Sequence, residues 1–254
     1  MSASTNDYIL EARGLTKQFR GFYAVKDVDL KVRRHSIHAL IGPNGAGKTT
    51  CFNLLTTFLK PTAGTIVFNG RNIERSDPAT VADSGMVRSF QISAVFGQMT
   101  VLENVRVALQ RKTSWNYAFW RNQNVLNVLN DRARELLDMV GLTRWADKPA
   151  SDLSYGRKRV LELVTTIALE PEMILLDEPM AGLGHEDIGP VMQLIKDVAK
   201  GRTVLMVEHN MKVIAELCDQ VTVLQSGQVL SEGSYAQVSA DPRVIEAYVG
   251  GVHD

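Results

Sequence analysis

The sequence predicts an α/β fold with a parallel sheet and a helical segment inserted near its middle. Two patterns point there. Short apolar runs alternate with longer helical patterns, and the runs ending at Ile41, Asp177 and Val207 each pass straight into a loop or helix. That is the strand–loop–helix rhythm of parallel sheets, which bind ligands just beyond the carboxyl ends of their strands. Between Thr100 and Ala168, by contrast, there is almost no strand-like pattern. With 254 residues, 45% hydrophobic and 22% charged, the chain has ample material for a core. At about 150 residues per domain it is long enough for one large domain or two small ones.

Taken in order, strands are expected at Tyr8–Ala12, Val25–Val32, Ser36–Ile41, Thr65–Phe68, Met173–Asp177, Thr203–Val207, Val221–Leu224 and Gln228–Ser231. A helix with apolar residues at intervals is expected from Thr50 to Leu59. In the middle segment, Thr100-Val-Leu-Glu103 has the spacing of a capping box, in which hydroxyl and carboxylate each satisfy a backbone N–H. Leu126, Leu129, Ala133, Leu136, Leu137 and Val140 follow at helical spacing, and Gly141 suits the C-terminal cap. These apolar residues are read as core. The expected organisation is a single domain, with 1–95 and 170–254 forming the α/β core and 96–169 the helical part. The aromatic-rich stretch from Ser114 to Trp120 either docks a partner or folds back on the helical part; self-packing is favoured, because exposed aromatic patches are uncommon.

Bulk chemistry narrows the function. Lysine plus arginine and aspartate plus glutamate are both 28, so no basic field favours nucleic acid, and none is expected as a partner. The two cysteines, Cys51 and Cys218, lack metal-binding spacing and read as reduced thiols. No apolar run approaches the roughly 18 residues of a spanning helix, and the first residues lack a signal-peptide pattern. A soluble chain is expected, with any membrane role exercised through partners.

The strongest local signal is Gly42-Pro43-Asn44-Gly45-Ala46-Gly47-Lys48-Thr49, directly after an apolar strand and before a helix. Glycines let such a loop curl until successive N–H groups face phosphate oxygens, and the helix start adds its dipole. Lys48 can then reach the β- and γ-phosphates, and the Thr49 hydroxyl can ligate Mg²⁺. A chance match in a chain of this length is roughly one in a hundred. The second signal is Met173-Ile-Leu-Leu-Asp177-Glu178, an apolar strand ending in two acids. Beside a phosphate loop, Asp177 would serve Mg²⁺, largely through water, and Glu178 would polarise an attacking water. Alone, such a pair reads as a solvated strand end; the phosphate loop reverses that balance.

With these residues, the chain resembles the nucleotide-binding subunits of ABC transporters over nearly its whole length. The resemblance implies a P-loop NTPase core with an inserted α-helical subdomain and an N-terminal antiparallel β region. It also implies ATP and Mg²⁺ as ligands. By that resemblance Phe19 stacks on adenine, with Phe22 and Tyr23 as competitors for the role, and Val25 also lies against the nucleotide. Thr50 joins the phosphate contacts, Gln91 touches Mg²⁺ and senses the γ-phosphate, and His209 grips the γ-phosphate. Leu153-Ser154-Tyr155-Gly156-Arg157 stands where the family signature, usually Leu-Ser-Gly-Gly-Gln, stands, with Tyr155 and Arg157 as its two unusual letters. Ser154 and the Gly156 N–H would reach a γ-phosphate held by a second subunit, head to tail. Read without the resemblance, Ser154 simply caps a helix.

Several stretches narrow the resemblance to one of the two ATPases of branched-chain amino-acid importers. They are Tyr155-Gly156, the segment following Gln91, Val207-Glu-His-Asn-Met-Lys-Val-Ile214 and the ending Asp241–Gly250. Urea and aromatic-acid importers have close relatives. Implied partners are a like or sister ATPase, two membrane permeases and, indirectly, a periplasmic binding protein, at the cytoplasmic face of the inner membrane. Rival readings are a lipopolysaccharide-extracting exporter ATPase, a non-transport cassette of translation or repair, and a non-hydrolysing regulatory module. Two further positions depart from the family: Thr165, commonly arginine, and Gly184, commonly Asp or Asn.

Overall fold

The computed structural model describes residues 7–89, 95–111 and 123–249, the side chains at 123–128 and 249 excepted. In chain order the strands are β1 (Tyr8–Phe19), β2 (Phe22–Arg33), β3 (Ile37–Ile41), β4 (Ala63–Phe68), β5 (Arg71–Asn72), β6 (Met86–Arg88), β7 (Met173–Asp177), β8 (Thr203–Val207), β9 (Gln220–Gln225) and β10 (Gln228–Gly233). The helices are α1 (Lys48–Leu55), α2 (Pro78–Asp83), α3 (Val101–Arg111), α4 (Gln123–Asp138), α5 (Tyr155–Ala168), α6 (His185–Ala199), α7 (Met211–Leu217), α8 (Tyr235–Ser239) and α9 (Pro242–Val249).

The chain divides into two compact units, one of residues 1–88, 172–179 and 199–254, the other of 89–171 and 180–198. The first holds both sheets. One has the order β10-β9-β3-β8-β7-β6 and is parallel apart from β10; the other is antiparallel, β2-β1-β4-β5. β3, β7 and β8 are buried along their whole length, which is why each reads as an unbroken apolar run. The core packs Leu10, Leu15 and Leu30 of the antiparallel sheet with Phe52 and Leu55 of α1 and with Leu40, Leu205 and Leu224 of the parallel one.

Every expected strand is present, most of them longer at one or both ends. β5 and β6 were not expected, because runs of two and three residues are too short to show a period. In the second unit α3, α4 and α5 pack on one another. The Thr100–Glu103 box forms as read: Glu103 N–H donates to the Thr100 hydroxyl at 3.1 Å and Thr100 N–H to the Glu103 carboxylate at 2.8 Å. Donation from the Thr100 N–H, and then from the Thr100 hydroxyl, holds the Glu103 carboxyl below its ordinary pKa. α4 ends at Asp138, and the chain reverses through Gly141 at φ +67° with Leu142 N–H donating back to Leu137. The aromatic stretch 114–120 lies outside the described residues.

Candidate functional site

β3 delivers the chain into the glycine loop in a conformation that other residues could not share. Gly42 has φ +149° and an added Cβ would lie 2.1 Å from the Leu224 carbonyl oxygen. Gly47 has φ +96° and its Cβ would lie 2.4 Å from the Ala24 carbonyl. The loop closes on itself through Ala46 N–H to Pro43 O at 3.2 Å, and Gly227 N–H in the β9–β10 turn donates to Ala46 O at 3.0 Å. Asn44 and Gly45 are exposed at its tip. Thr49 is exposed and Thr50 half-buried in the first turn of α1, which has no side-chain cap and no acidic residue there. Donors left this way suit an anion. Lys48 is buried and donates to Gly42 O at 2.7 Å and Pro43 O at 3.0 Å. Burial lowers its pKa, and the nearby Glu178 and Asp177 charges oppose that shift.

Parallel register builds the acidic end of the site. Asp177 of β7 pairs with Val207 of β8, and Glu178 N–H donates to Val207 O at 2.9 Å. The residues just past both strand ends therefore meet: His209 Nε2 lies 2.8 Å from Glu178 Oε1. Glu178 holds φ +47°, an uncommon value for a residue with a Cβ, which bends the chain there. The buried Glu208 carboxylate accepts the N–H groups of His209 at 2.8 Å and Asn210 at 3.0 Å, fixing the turn that presents the histidine. Asn210 then caps α7. Asp177 itself is only 1% exposed and ion-paired at 2.5 Å with Arg88 of β6.

Arg88 and Glu208 are the residues that sequence reading missed. Glu208 was visible in Val-Glu-His-Asn but carried no motif role. Arg88 sits on a strand too short to recognise. Lys48, Asp177, Glu178 and His209 share the first unit, at or just beyond the carboxyl ends of β3, β7 and β8 and the start of α1. Phe19, Phe22 and Tyr23 are all exposed at the β1–β2 turn, with the Lys17 ammonium 5.2 Å from the Phe19 ring centre. Val25 is fully buried in the core and presents no side-chain surface. Gln91 lies outside the described residues.

The C-terminal segment also returns to the loop. Asp241, hydrogen-bonded to Arg243, starts α9, and Val244 and Ala247 are buried. One turn on, burial pushes the Tyr248 phenol up to about 12, and the nearby Gly42 backbone opposes that shift.

Ser154 and Gly156 belong to the second unit. Ser154 caps α5, accepting Arg157 N–H at 3.5 Å. The Asp187 carboxylate lies where a Cβ on Gly156 would be, 2.1 Å away. The two unusual letters of this stretch now have physical accounts. The Tyr155 ring lies over Gly182, whose Cβ would meet it at 2.9 Å, and the Arg157 guanidinium stacks 4.8 Å from the Trp145 ring centre. Gly184 has no left-handed φ, and the Glu186 carboxylate stands 3.0 Å from where its Cβ would be. Thr165 donates to Glu162 O at 2.8 Å, and nothing in the structure explains the departure from arginine.

Known proteins resemble this chain over most of its length. The ABC transporter family model matches residues 25–181, and a model for branched-chain amino acid ATP-binding cassette transporters matches 228–254. The high-affinity branched-chain amino acid transport ATP-binding protein LivG of Salmonella typhimurium is 38% identical over 252 residues, spanning 95% of this chain and 98% of that protein. Among solved structures, the ADP conformation of the cassette MJ1267 superposes with a TM-score of 0.83 at 30% identity, over 96% of this chain and 99% of that one. The cassette MJ0796, solved as a dimer with ADP and Pi, superposes at 0.76 with 25% identity over 89% and 98%. A family model covering more than half the chain, and a relative matched almost end to end, place this protein in the ABC transporter family, as one of its ATP-hydrolysing subunits.

Proposed function

We propose that this subunit powers uptake of branched-chain or related amino acids, from the cytoplasmic face of a membrane, bound to permease subunits fed by a periplasmic binding protein. One contact carries the catalytic reading: Glu178 and His209 at 2.8 Å, beside the uncapped start of α1. The solute class is supported by the match over 228–254 and by the transport proteins to which the chain is similar.

The loop N–H groups of Gly45 to Thr50 would take up the phosphates of ATP, with Phe19 against the adenine. Lys48, held on loop carbonyls in the structure, exchanges them for β- and γ-oxygens. Among the described residues no group of three or more His, Cys, Asp or Glu side chains is gathered to hold a metal alone. Thr49 and Asp177 are hard oxygen donors of the kind Mg²⁺ uses, with phosphate and water completing its shell. With Gln91 they would hold the ion, which when bound offsets charge on the phosphates. Glu178 accepts the proton of the attacking water, and His209 orients that carboxylate and reaches the γ-phosphate. Ser154 and the Gly156 N–H would complete the site from a second subunit, identical or sister. The dimeric MJ0796 structure is the precedent for pairing cassettes. ATP thus favours the closed pair and hydrolysis releases it.

The test is co-purification with the transmembrane subunits, followed by ATPase assays with the binding protein and leucine, isoleucine, valine, urea or aromatic acids. Stimulation by branched-chain solutes supports the reading. Stimulation by none of the panel removes the solute class.

A further inference from the structure

Arg88 belongs to none of the motifs that identify the family site. Parallel pairing of β6 with β7 sets it beside Leu175, on the same sheet face as Asp177 two residues on. Its side chain is 10% exposed. Nη2 donates to Asp177 Oδ2 and Nη1 to Asn53 Oδ1, each at 2.5 Å, and the guanidinium lies 5.7 Å from the Phe52 ring centre. Nε is buried with no hydrogen-bond partner.

That arrangement is a poor device for stability alone. A buried ion pair often contributes less than a well-packed apolar pair, and an unmet buried donor carries a further cost. What the arginine fork does achieve is geometric. Its two nitrogens join the carboxylate at the end of β7 to α1, the helix whose first turn carries Thr49. Lysine, with one compact ammonium on a flexible stem, lacks that fixed fork.

We propose that Arg88 is a positioning residue for the divalent cation: it holds the Asp177 carboxylate in register with the Thr49-bearing helix before metal and nucleotide arrive. This rests on the assignment of Thr49 and Asp177 as protein ligands of the metal. Partners that orient metal ligands in this way typically change metal affinity by 10- to 100-fold when removed. A merely structural pair would lower thermal stability and leave metal affinity alone. A cation that only repelled the metal would, on removal, tighten it.

The probe is Mn²⁺, titrated into the intact protein with ADP and followed by the electron paramagnetic resonance of the free ion. Arg88→Gln is expected to weaken Mn²⁺ by about 10-fold, with ADP affinity in EDTA unchanged. Arg88→Lys should fall between it and wild type, and Asn53→Ala, which frees one side of the fork, should shift Mn²⁺ the same way by less. Unchanged or tighter Mn²⁺ binding in the folded variants overturns the proposal. Should Arg88→Gln fail to fold, Arg88→Lys and Asn53→Ala decide by the same criterion. If wild type takes up no Mn²⁺ with ADP, the metal assignment itself falls, and this proposal with it. If wild type and variants bind alike, only the role of Arg88 falls.

Discussion

At the scale of single residues, the site is a set of side chains whose freedom has been removed. Glu178 is bent into position by its own φ and held by His209. Glu178→Gln should retain ATP binding while cutting turnover by about 10² to 10⁴-fold, the usual contribution of a general base. Turnover near wild type in the assembled transporter would remove that role. Lys48→Ala should instead weaken ATP binding itself, read by titration of a fluorescent nucleotide. Gly47 is constrained more severely than any ligand-binding side chain. Gly47→Ala places a methyl 2.4 Å from the Ala24 carbonyl at a φ of +96°, and should cost at least about 1–3 kcal/mol of stability in urea unfolding, through strain alone.

Elements decide what those residues can reach. Glu178 meets His209 because β7 and β8 pair in one register; a slip by one residue would turn Asp177 to the opposite face. α9 works similarly from the far end of the chain. It is started by Asp241, seated on Val244 and Ala247, and brings Tyr248 to the Gly42 backbone. The carbonyl of that glycine holds Lys48. Tyr248→Phe keeps the ring and loses the hydroxyl, so it should weaken ATP binding by about 2- to 10-fold, the range of one hydrogen bond. Wild-type ATP affinity in Tyr248→Phe would show the helix to be packing only.

Across the whole molecule, His38 ties stability to pH through its burial. It lies on β3 with Nε2 2.8 Å from the Thr222 hydroxyl, and that hydroxyl lies 3.3 Å from Glu232. Burial lowers its pKa from 6.5 to about 4. The folded chain therefore keeps it neutral where the unfolded chain would protonate it. Its share of stability is complete above about pH 6.5 and is lost as pH falls toward 4, to a total of about 3 kcal/mol. Urea unfolding at pH 7.5 and 4.5 should show a smaller difference in His38→Gln than in wild type; equal differences would refute the assignment. Burial also pushes the Cys51 and Cys218 thiols up to about 12, so both should resist alkylation at pH 8 until the chain unfolds.

What the sequence determined by itself was local or periodic. The glycine loop, the acid-ended strand, the Thr100–Glu103 box and the strand–helix alternation are written in neighbouring residues, because short-range sterics and burial period impose them. Tyr155 and Arg157 looked like departures from a pattern, and only Gly182 and Trp145 beside them supplied a reason. Arg88 was hidden for a different cause: its strand is three residues long, and its partners stand 35 and 89 positions away in the chain. The approach of Tyr248 to the Gly42 backbone likewise joins distant parts of the chain. Such pairings follow from sheet order and register, which long-range packing selects and local composition does not encode.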